Sequence, residues 1–384
     1  MKKFLDCISI VGATPSKFHG TKKYISTGAV ATTEIDESEV VEVTYEDRPS
    51  RANLSAEAGD ILFAKMQGTR KTLLLDSETE KNIYSTGFYA VRANPEVITT
   101  ECLYYLIDSE LFLAQKDKNC SGATQKAITN GGMAKIEISV PPLSEQGILV
   151  DKLKHLTQLI ADKKKQLNLF DEIIKSRFIE MFGTLSCNEH HYPMCALKYA
   201  CRKITDGKHG GCEQEYNSGY YYVGAREIYD GEIHYGTAPQ IVRGDFEKDY
   251  RRCNIEQGDF VLVNTGATIG KSAIAKHPLT ERTLLQKSVA MFKVKTELIS
   301  AVFLKCCYDA NPEMYTVKSA SAQPNLLLSR INSTQIYLPP IELQRQFAAF
   351  VEQVDKSKFY IVQMQILLRL LIRAIQQKTT EVLL

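Results

Sequence analysis

The chain repeats itself, and this repeat restricts its fold more than any other feature. Val140-Pro141-Pro142-Leu143-Ser144-Glu145-Gln146 returns as Leu338-Pro339-Pro340-Ile341-Glu342-Leu343-Gln344, at an offset of 198 residues. Ser121-Gly122-Ala123-Thr124-Gln125 returns as Ser319-Ala320-Ser321-Ala322-Gln323 at the same 198. Gly59-Asp60-Ile61-Leu62-Phe63 returns as Gly258-Asp259-Phe260-Val261-Leu262 at 199. One short match is what chance produces. Three matches in one order at nearly one offset point to a duplication. A chain of 384 residues built this way folds as two copies of one unit.

Each copy begins with a Gly-punctuated region of short β-type runs. Asp60-Ile61-Leu62-Phe63-Ala64-Lys65 and Asp259-Phe260-Val261-Leu262-Val263 read as buried strands, and 100–115 and 298–308 as short helices. The Pro-Pro pair then resists helix before it and is tolerated at a helix start. After the first pair, apolar residues recur at Ile148, Leu153, Leu156, Ile160, Leu167, Phe170, Ile174, Phe178 and Met181, mostly the spacing of one helix face, until Gly183. At 1.5 Å per residue this predicts a helix roughly 58 Å long. After the second pair the face is Phe347, Phe350, Val354, Ile361, Met364, Leu368, Ile372 and Ile375. Two such helices pair most simply as an antiparallel coiled coil. The alternative docks each on its own domain, but neither half offers another long helix to cover these faces. The expected fold class is α+β: two mixed α/β domains separated by two long antiparallel helices forming a coiled coil, with a pseudo-twofold internal repeat. The expected boundaries are 1–142, 143–183, 184–340 and 341–384.

Composition narrows the function. Hydrophobic residues make up 44%, ample for cores, and 47 basic against 45 acidic residues leave a net charge of +2. Near-neutrality excludes a broadly basic surface, so any nucleic-acid-binding surface is local. No stretch reads as the ~20 apolar residues of a membrane span. The start, Met1-Lys2-Lys3-Phe4-Leu5, is interrupted by Asp6, which argues against a cleaved signal. Ten cysteines without a C-x-x-C read as reduced thiols of a cytoplasmic protein. Cys187, His190, His191, Cys195 and Cys201 match no common zinc spacing, so no metal site is expected.

Over its whole length the chain resembles the specificity subunit of type I restriction-modification systems. The strand opening Gly-Asp, the Ser-x-x-x-Gln segment and the Pro-Pro-x-x-x-Gln entry into a helix are that family's landmarks, and each occurs twice. Gly12-Ala13-Thr14-Pro15-Ser16 and Ile204-Thr205-Asp206-Gly207-Lys208-His209 resemble two common openings of its target-recognition domains, and Val223-Gly224-Ala225-Arg226-Glu227-Ile228 fits the strand that follows. The resemblance implies a division of labour. Each recognition domain reads one half of a split, asymmetric double-stranded DNA sequence, and the coiled coil is a ruler for the unread spacer. Two modification subunits bind the helices and methylate adenine, and restriction subunits translocate and cleave. S-adenosylmethionine, ATP and Mg then belong to those partners, and this chain is not itself an enzyme.

Candidate DNA contacts follow from side-chain chemistry. Lys65, Gln67, Thr69, Arg70 and Lys71 lie in a glycine-containing loop directly after a strand. Gln and Arg make bidentate contacts to adenine and guanine edges, and Lys mainly contacts phosphate. The counterpart carries Asn264, Thr265, Thr268 and Lys271. It approaches a P-loop, but only three residues separate Gly266 and Gly270 where four are needed. Ser121, Thr124 and Gln125, with Ser319, Ser321, Gln323 and Asn325, supply uncharged hydrogen-bonding groups beside the cation Lys126, or else the two segments simply order a tight turn. Thr205, Lys208 and His209 form a third candidate segment. Tyr220-Tyr221-Tyr222 reads chiefly as core packing, with groove stacking as the other option.

The rival from the enzyme class is a self-contained DNA methyltransferase or nuclease. An adenine methyltransferase needs an Asn-Pro-Pro-Tyr-like motif, and the Asn-Pro pairs here continue as Asn94-Pro95-Glu96 and Asn311-Pro312-Glu313. A coiled-coil adaptor without DNA recognition leaves the duplicated globular regions unexplained.

Overall fold

The computed structural model describes residues 1–316 and 324–381. They form mixed α/β structure in two units, Met1–Lys164 with Val362–Leu384, and Lys165–Ile361. The long helices run Leu143–Phe182 and Ile341–Glu381, and each contributes a segment to both units. The first ends one residue before Gly183, whose φ of +73° suits a helix stop.

The sheets repeat the duplication. In the first unit a four-stranded antiparallel sheet has the order Ile8–Val11, Phe88–Ala93, Ile61–Ala64, Thr72–Leu74. In the second the order is Cys201–Asp206, Val289–Val294, Phe260–Val263, Ser272–Ile274. Each unit also holds a parallel strand pair, with Ile83 beside Tyr24 in the first and Leu284 beside Tyr222 in the second. All four residues of Ile61–Ala64 and of Phe260–Val263 are buried, as an uninterrupted apolar strand requires.

The Gly-Asp landmark is explained by the turn it builds. Gly59 and Gly258 sit at φ +88° and +95°, a region favourable to glycine alone. The Asp60 carboxylate accepts the Glu57 backbone N–H at 2.8 Å and the Arg92 guanidinium at 2.6 Å. Asp259 accepts the Glu256 N–H at 2.8 Å and the Lys293 ammonium at 2.8 Å. One turn with one carboxylate therefore ties each central strand to its neighbour.

The long helices enter the cores through a few residues. Val150 and Leu153 are buried in the first unit. In the second, Phe178, Phe182, Phe303 and Phe347 form an aromatic cluster with ring centroids 4.9 to 5.5 Å apart. Within each unit the two helix segments run antiparallel. Gln365 donates to the Ile160 carbonyl in the first, and Lys358 pairs with Asp171 in the second, where Phe182 meets Phe347.

Two details differ from expectation. Of the anticipated apolar faces, Ile148 and Met364 are exposed. The segment 341–377 is also long and apolar enough to cross a membrane by length and composition, where no such stretch was expected. Its face carries Arg373, which pairs with Glu110 at 2.5 Å, and Gln376, which donates to the Tyr105 carbonyl at 3.1 Å. Both anchors belong to the globular part of the first unit, and an arginine is costly within lipid.

Candidate nucleic-acid interface

In each unit the candidate segments converge on one end of the four-stranded sheet. In the first, Val11 pairs with Ala90 and Ala64 with Phe88, so 12–16 and 65–71 leave the sheet at the same end. The 121–128 segment joins them. Ile128 N–H donates to the Lys65 carbonyl and Gln67 N–H to the Lys126 carbonyl, both at 2.9 Å. Ser121 and Ala127 close the turn reciprocally at 2.9 and 3.0 Å. Ser121, Thr124, Gln125 and Lys126 are exposed on it.

The second unit builds the same junction. Asp206 pairs with Ala290 and Val263 with Val289, so 207–211 and 264–271 again leave together. Leu326 N–H donates to the Asn264 carbonyl at 2.7 Å, and Gly266 N–H to the Pro324 carbonyl at 3.0 Å. Thr265 Oγ1 donates to Asn325 Oδ1 at 3.1 Å. Ser319, Ser321 and Gln323 lie outside the described residues. Segments far apart in sequence are thus brought to one place, twice, by one topology.

Several candidate side chains have internal partners that sequence alone does not reveal. The Arg70 guanidinium forks onto Asp108 at 3.0 and 2.8 Å. Burial pushes the Asp108 carboxyl above its ordinary range, although Arg70 pulls the other way. Lys71 donates to the Thr27 carbonyl. Lys65 lies over the Tyr89 ring at 4.3 Å, and burial pulls its ammonium below the usual lysine range. Gln67 Nε2 donates to the Asp117 carbonyl at 3.1 Å. Thr69 is half-buried beside it.

The second loop is less charged and differently held. Asn264 is 3% exposed and therefore sits below the surface, whereas Lys271 is exposed and Thr268 half-buried. After Lys271 the chain enters the strand Ser272–Ile274, so no helix N-terminus follows as a phosphate cradle demands. Thr205 is the last residue but one of the strand Cys201–Asp206. Lys208 pairs with Asp249 at 2.7 Å, which raises its ammonium, and the exposed His209 lies 3.3 Å from Asp206. Gly207 permits a close backbone approach. A Cβ there would stand 2.1 Å from the Leu285 carbonyl oxygen. Tyr220, Tyr221 and Tyr222 are half-buried, and Tyr220 lies 4.7 Å from the Phe246 ring, as core packing requires.

Sequence reasoning missed the residues that hold these loops: Asp108, Lys116 and Asp117 in the first unit, and in the second Asp249 and Arg252, whose Nε donates to the Asp206 and Gly207 carbonyls at 3.0 and 2.8 Å. None lies in a repeated motif. Thiol chemistry has no support at the cores, because burial pushes Cys102, Cys201 and Cys306 up to about 12.

A solved structure described as the structural basis of complex assembly and conformational transition of the type I R-M system shares the fold. Its TM-score is 0.58 at 20% identity, over 98% of this chain and 96% of that one. The EcoBI specificity subunit of Escherichia coli, a type I restriction enzyme component, is 22% identical over 273 residues. That match spans 63% of this chain and 56% of the relative, little more than half its length. Residues 10–169 and 203–370 each match the type I restriction modification DNA specificity domain. Because those two matches take in most of the chain and fall one on each copy of the repeat, the chain belongs to the family of type I restriction-modification DNA specificity domains.

Proposed function

We propose that the chain is the sequence-reading subunit of a type I restriction-modification complex, in which each unit reads one half of a split, asymmetric DNA target. The observation that carries this reading is the doubled convergence of three segments on one sheet end. The frame is the same in both units, but one loop carries Gln67 and Arg70 and the other carries Thr265 and Thr268. A common frame presents the loops alike, and different side chains read different bases.

In this reading 1–142 and 184–340 are the recognition domains, and the helices 143–183 and 341–384 form the coiled-coil ruler between them. Readers on one face of B-DNA are spaced by about a helical turn, roughly 34 Å. A rigid helix pair suits that task better than a flexible linker. The DNA-contacting set comprises Lys65, Gln67, Thr69, Arg70, Lys71, Ser121, Thr124, Gln125, Lys126, Thr205, Lys208, His209, Asn264, Thr265, Thr268, Lys271, Ser319, Ser321, Gln323 and Asn325. The burial of Asn264 makes it a frame residue within that set, and Arg70 reads DNA only by leaving or sharing Asp108.

The partners are two modification subunits and the restriction subunits, with S-adenosylmethionine, ATP and Mg bound on them and the assembly cytoplasmic. A repeated groove on the helices supports two copies of one partner. Ile148, Leu156, Leu371 and Ile375 line it in the first unit, and Leu169, Ile173, Arg177 and Phe350 in the second. Ile173 and Leu371 stand at equivalent positions of the repeat. Leu367, 65% exposed, and Phe359 and Tyr360 add apolar surface that a protein partner would cover.

The discriminating experiment incubates the purified chain with duplex DNA and labelled S-adenosylmethionine. The expected result is no methyl transfer by the chain alone and transfer once a cognate modification subunit is added. Methylation by the chain alone would overturn the assignment.

A further inference from the structure

The loop 65–71 is held from below by a buried cation. The helix Glu110–Lys118 places Lys116 under the loop with 2% exposure. Its ammonium donates to three backbone carbonyls, Ala64 at 3.3 Å, Met66 at 2.8 Å and Thr69 at 2.7 Å. An ammonium has three protons, and three acceptors from one short stretch take them. The nearest carboxylate oxygen is Asp117 Oδ1 at 3.6 Å, and the same oxygen accepts the Gly68 N–H at 3.0 Å. Burial pulls the Lys116 ammonium below its ordinary range, so retaining it here is costly. An apolar side chain would fill the space at no such cost. What the lysine adds is a fixed direction for three carbonyl dipoles, all drawn toward the protein. Carbonyl oxygens turned outward would repel phosphate.

The second unit holds its loop by other means. The Tyr315 ring packs where a Cβ on Gly270 would stand, 2.3 Å from its nearest ring atom. Thr265 and Asn325 bond across the junction. Among the described residues no lysine ammonium donates to the carbonyls of 263–269.

We propose that Lys116 is a positioning residue for the first unit's reading loop, setting which side chains of 65–71 meet the DNA for one half of the target only. The proposal rests on the two-reader assignment above, and its test separates the two. The full chain is prepared as wild type, Lys116→Met and Lys116→Arg. Hydrogen exchange of peptides covering 65–71 and 264–271 is measured by mass spectrometry. Duplexes retained from a randomised 30-base-pair library by each protein, bound to its modification subunits, are sequenced.

The expected result for K116M is exchange at Gln67 and Gly68 at least about tenfold faster, with 264–271 unchanged. Base preference in one half of the target falls at least about tenfold and the other half is retained. K116R keeps the charge and the donors and recovers a substantial part of both. Unchanged loop exchange in K116M overturns the proposal. So does equal opening of both units, because Lys116 is then a general core residue, and so does an equal loss of preference in both halves. If the wild type selects no split sequence, the two-reader assignment fails, and the exchange data still decide whether Lys116 anchors the loop.

Discussion

The side chain of Gln146 caps the backbone of Thr99: Oε1 accepts the Thr99 N–H at 2.7 Å. Its Nε2 donates to the carbonyls of Val97 at 3.1 Å and Pro141 at 2.9 Å. Gln344 repeats every contact. It accepts the Ser300 N–H at 2.9 Å and donates to Leu298 at 3.0 Å and Pro339 at 2.9 Å. Thr99 and Ser300 are themselves the N-caps of the helices Thr100–Ile107 and Ala301–Ala310. The final residue of Pro-Pro-x-x-x-Gln therefore joins the start of a long helix to the cap of a short one.

Both glutamines are fully buried. Replacing either by alanine leaves one N–H and two carbonyls without these partners, at about 1–3 kcal/mol for each group that stays dry. Gln146→Ala is expected to destabilise the first unit by about 2–4 kcal/mol and Gln344→Ala the second by a similar amount. Denaturant unfolding followed by unit-specific probes reads this. A loss below ~0.5 kcal/mol in both variants would show the contacts to be incidental.

Gly207→Ala places a methyl group against the Leu285 carbonyl oxygen, where backbone cannot yield cheaply. The Lys208 N–H to Leu285 bond of 2.7 Å is broken or strained as a result. The expected cost is about 2 kcal/mol or more, confined to the second unit. Amide exchange at Lys208 reports it, and an unperturbed Lys208 amide would contradict the geometry.

The repeated groove makes a stoichiometric prediction. Ile173 and Leu371 are 47% and 48% exposed, so an aspartate at either leaves the fold intact. Ile173→Asp and Leu371→Asp each remove one of two modification subunits, and the double variant removes both. Native mass spectrometry counts the copies. Retention of two copies by the double variant would place the partner elsewhere.

The ruler assignment predicts a spacing change. Inserting four residues beside Lys164 in the first long helix adds about 6 Å at 1.5 Å per residue and turns the helix face by about 40°. The allowed spacer is expected to change, or recognition to be abolished. An unchanged spacer would show that this helix does not set it.

Much of the frame was legible in the sequence because its determinants are local. The buried strands Ile61–Ala64 and Phe260–Val263 declare themselves as apolar runs after Gly-Asp, and the long helices by their period and by Gly183. The convergence of the loops was only half legible. The repeat pairs 65–71 with 264–271, but nothing in the sequence brings Lys126 to Gln67. The least legible part was the charge pairing. Arg70 and Asp108 are 38 residues apart, and Lys208 and Asp249 are 41 apart. Such partners look like free surface charges until the chain folds. Asn264 was misleading for the same reason, since a polar residue at a strand end was expected outside and lies within.

The central claim is that two divergent readers on one duplicated frame recognise two different half-sites. Long-read methylation mapping in cells carrying this chain with its modification subunit tests it most directly. The expected result is a split, asymmetric motif with N6-methyladenine in each half and an unread spacer between. A continuous or palindromic motif would contradict it.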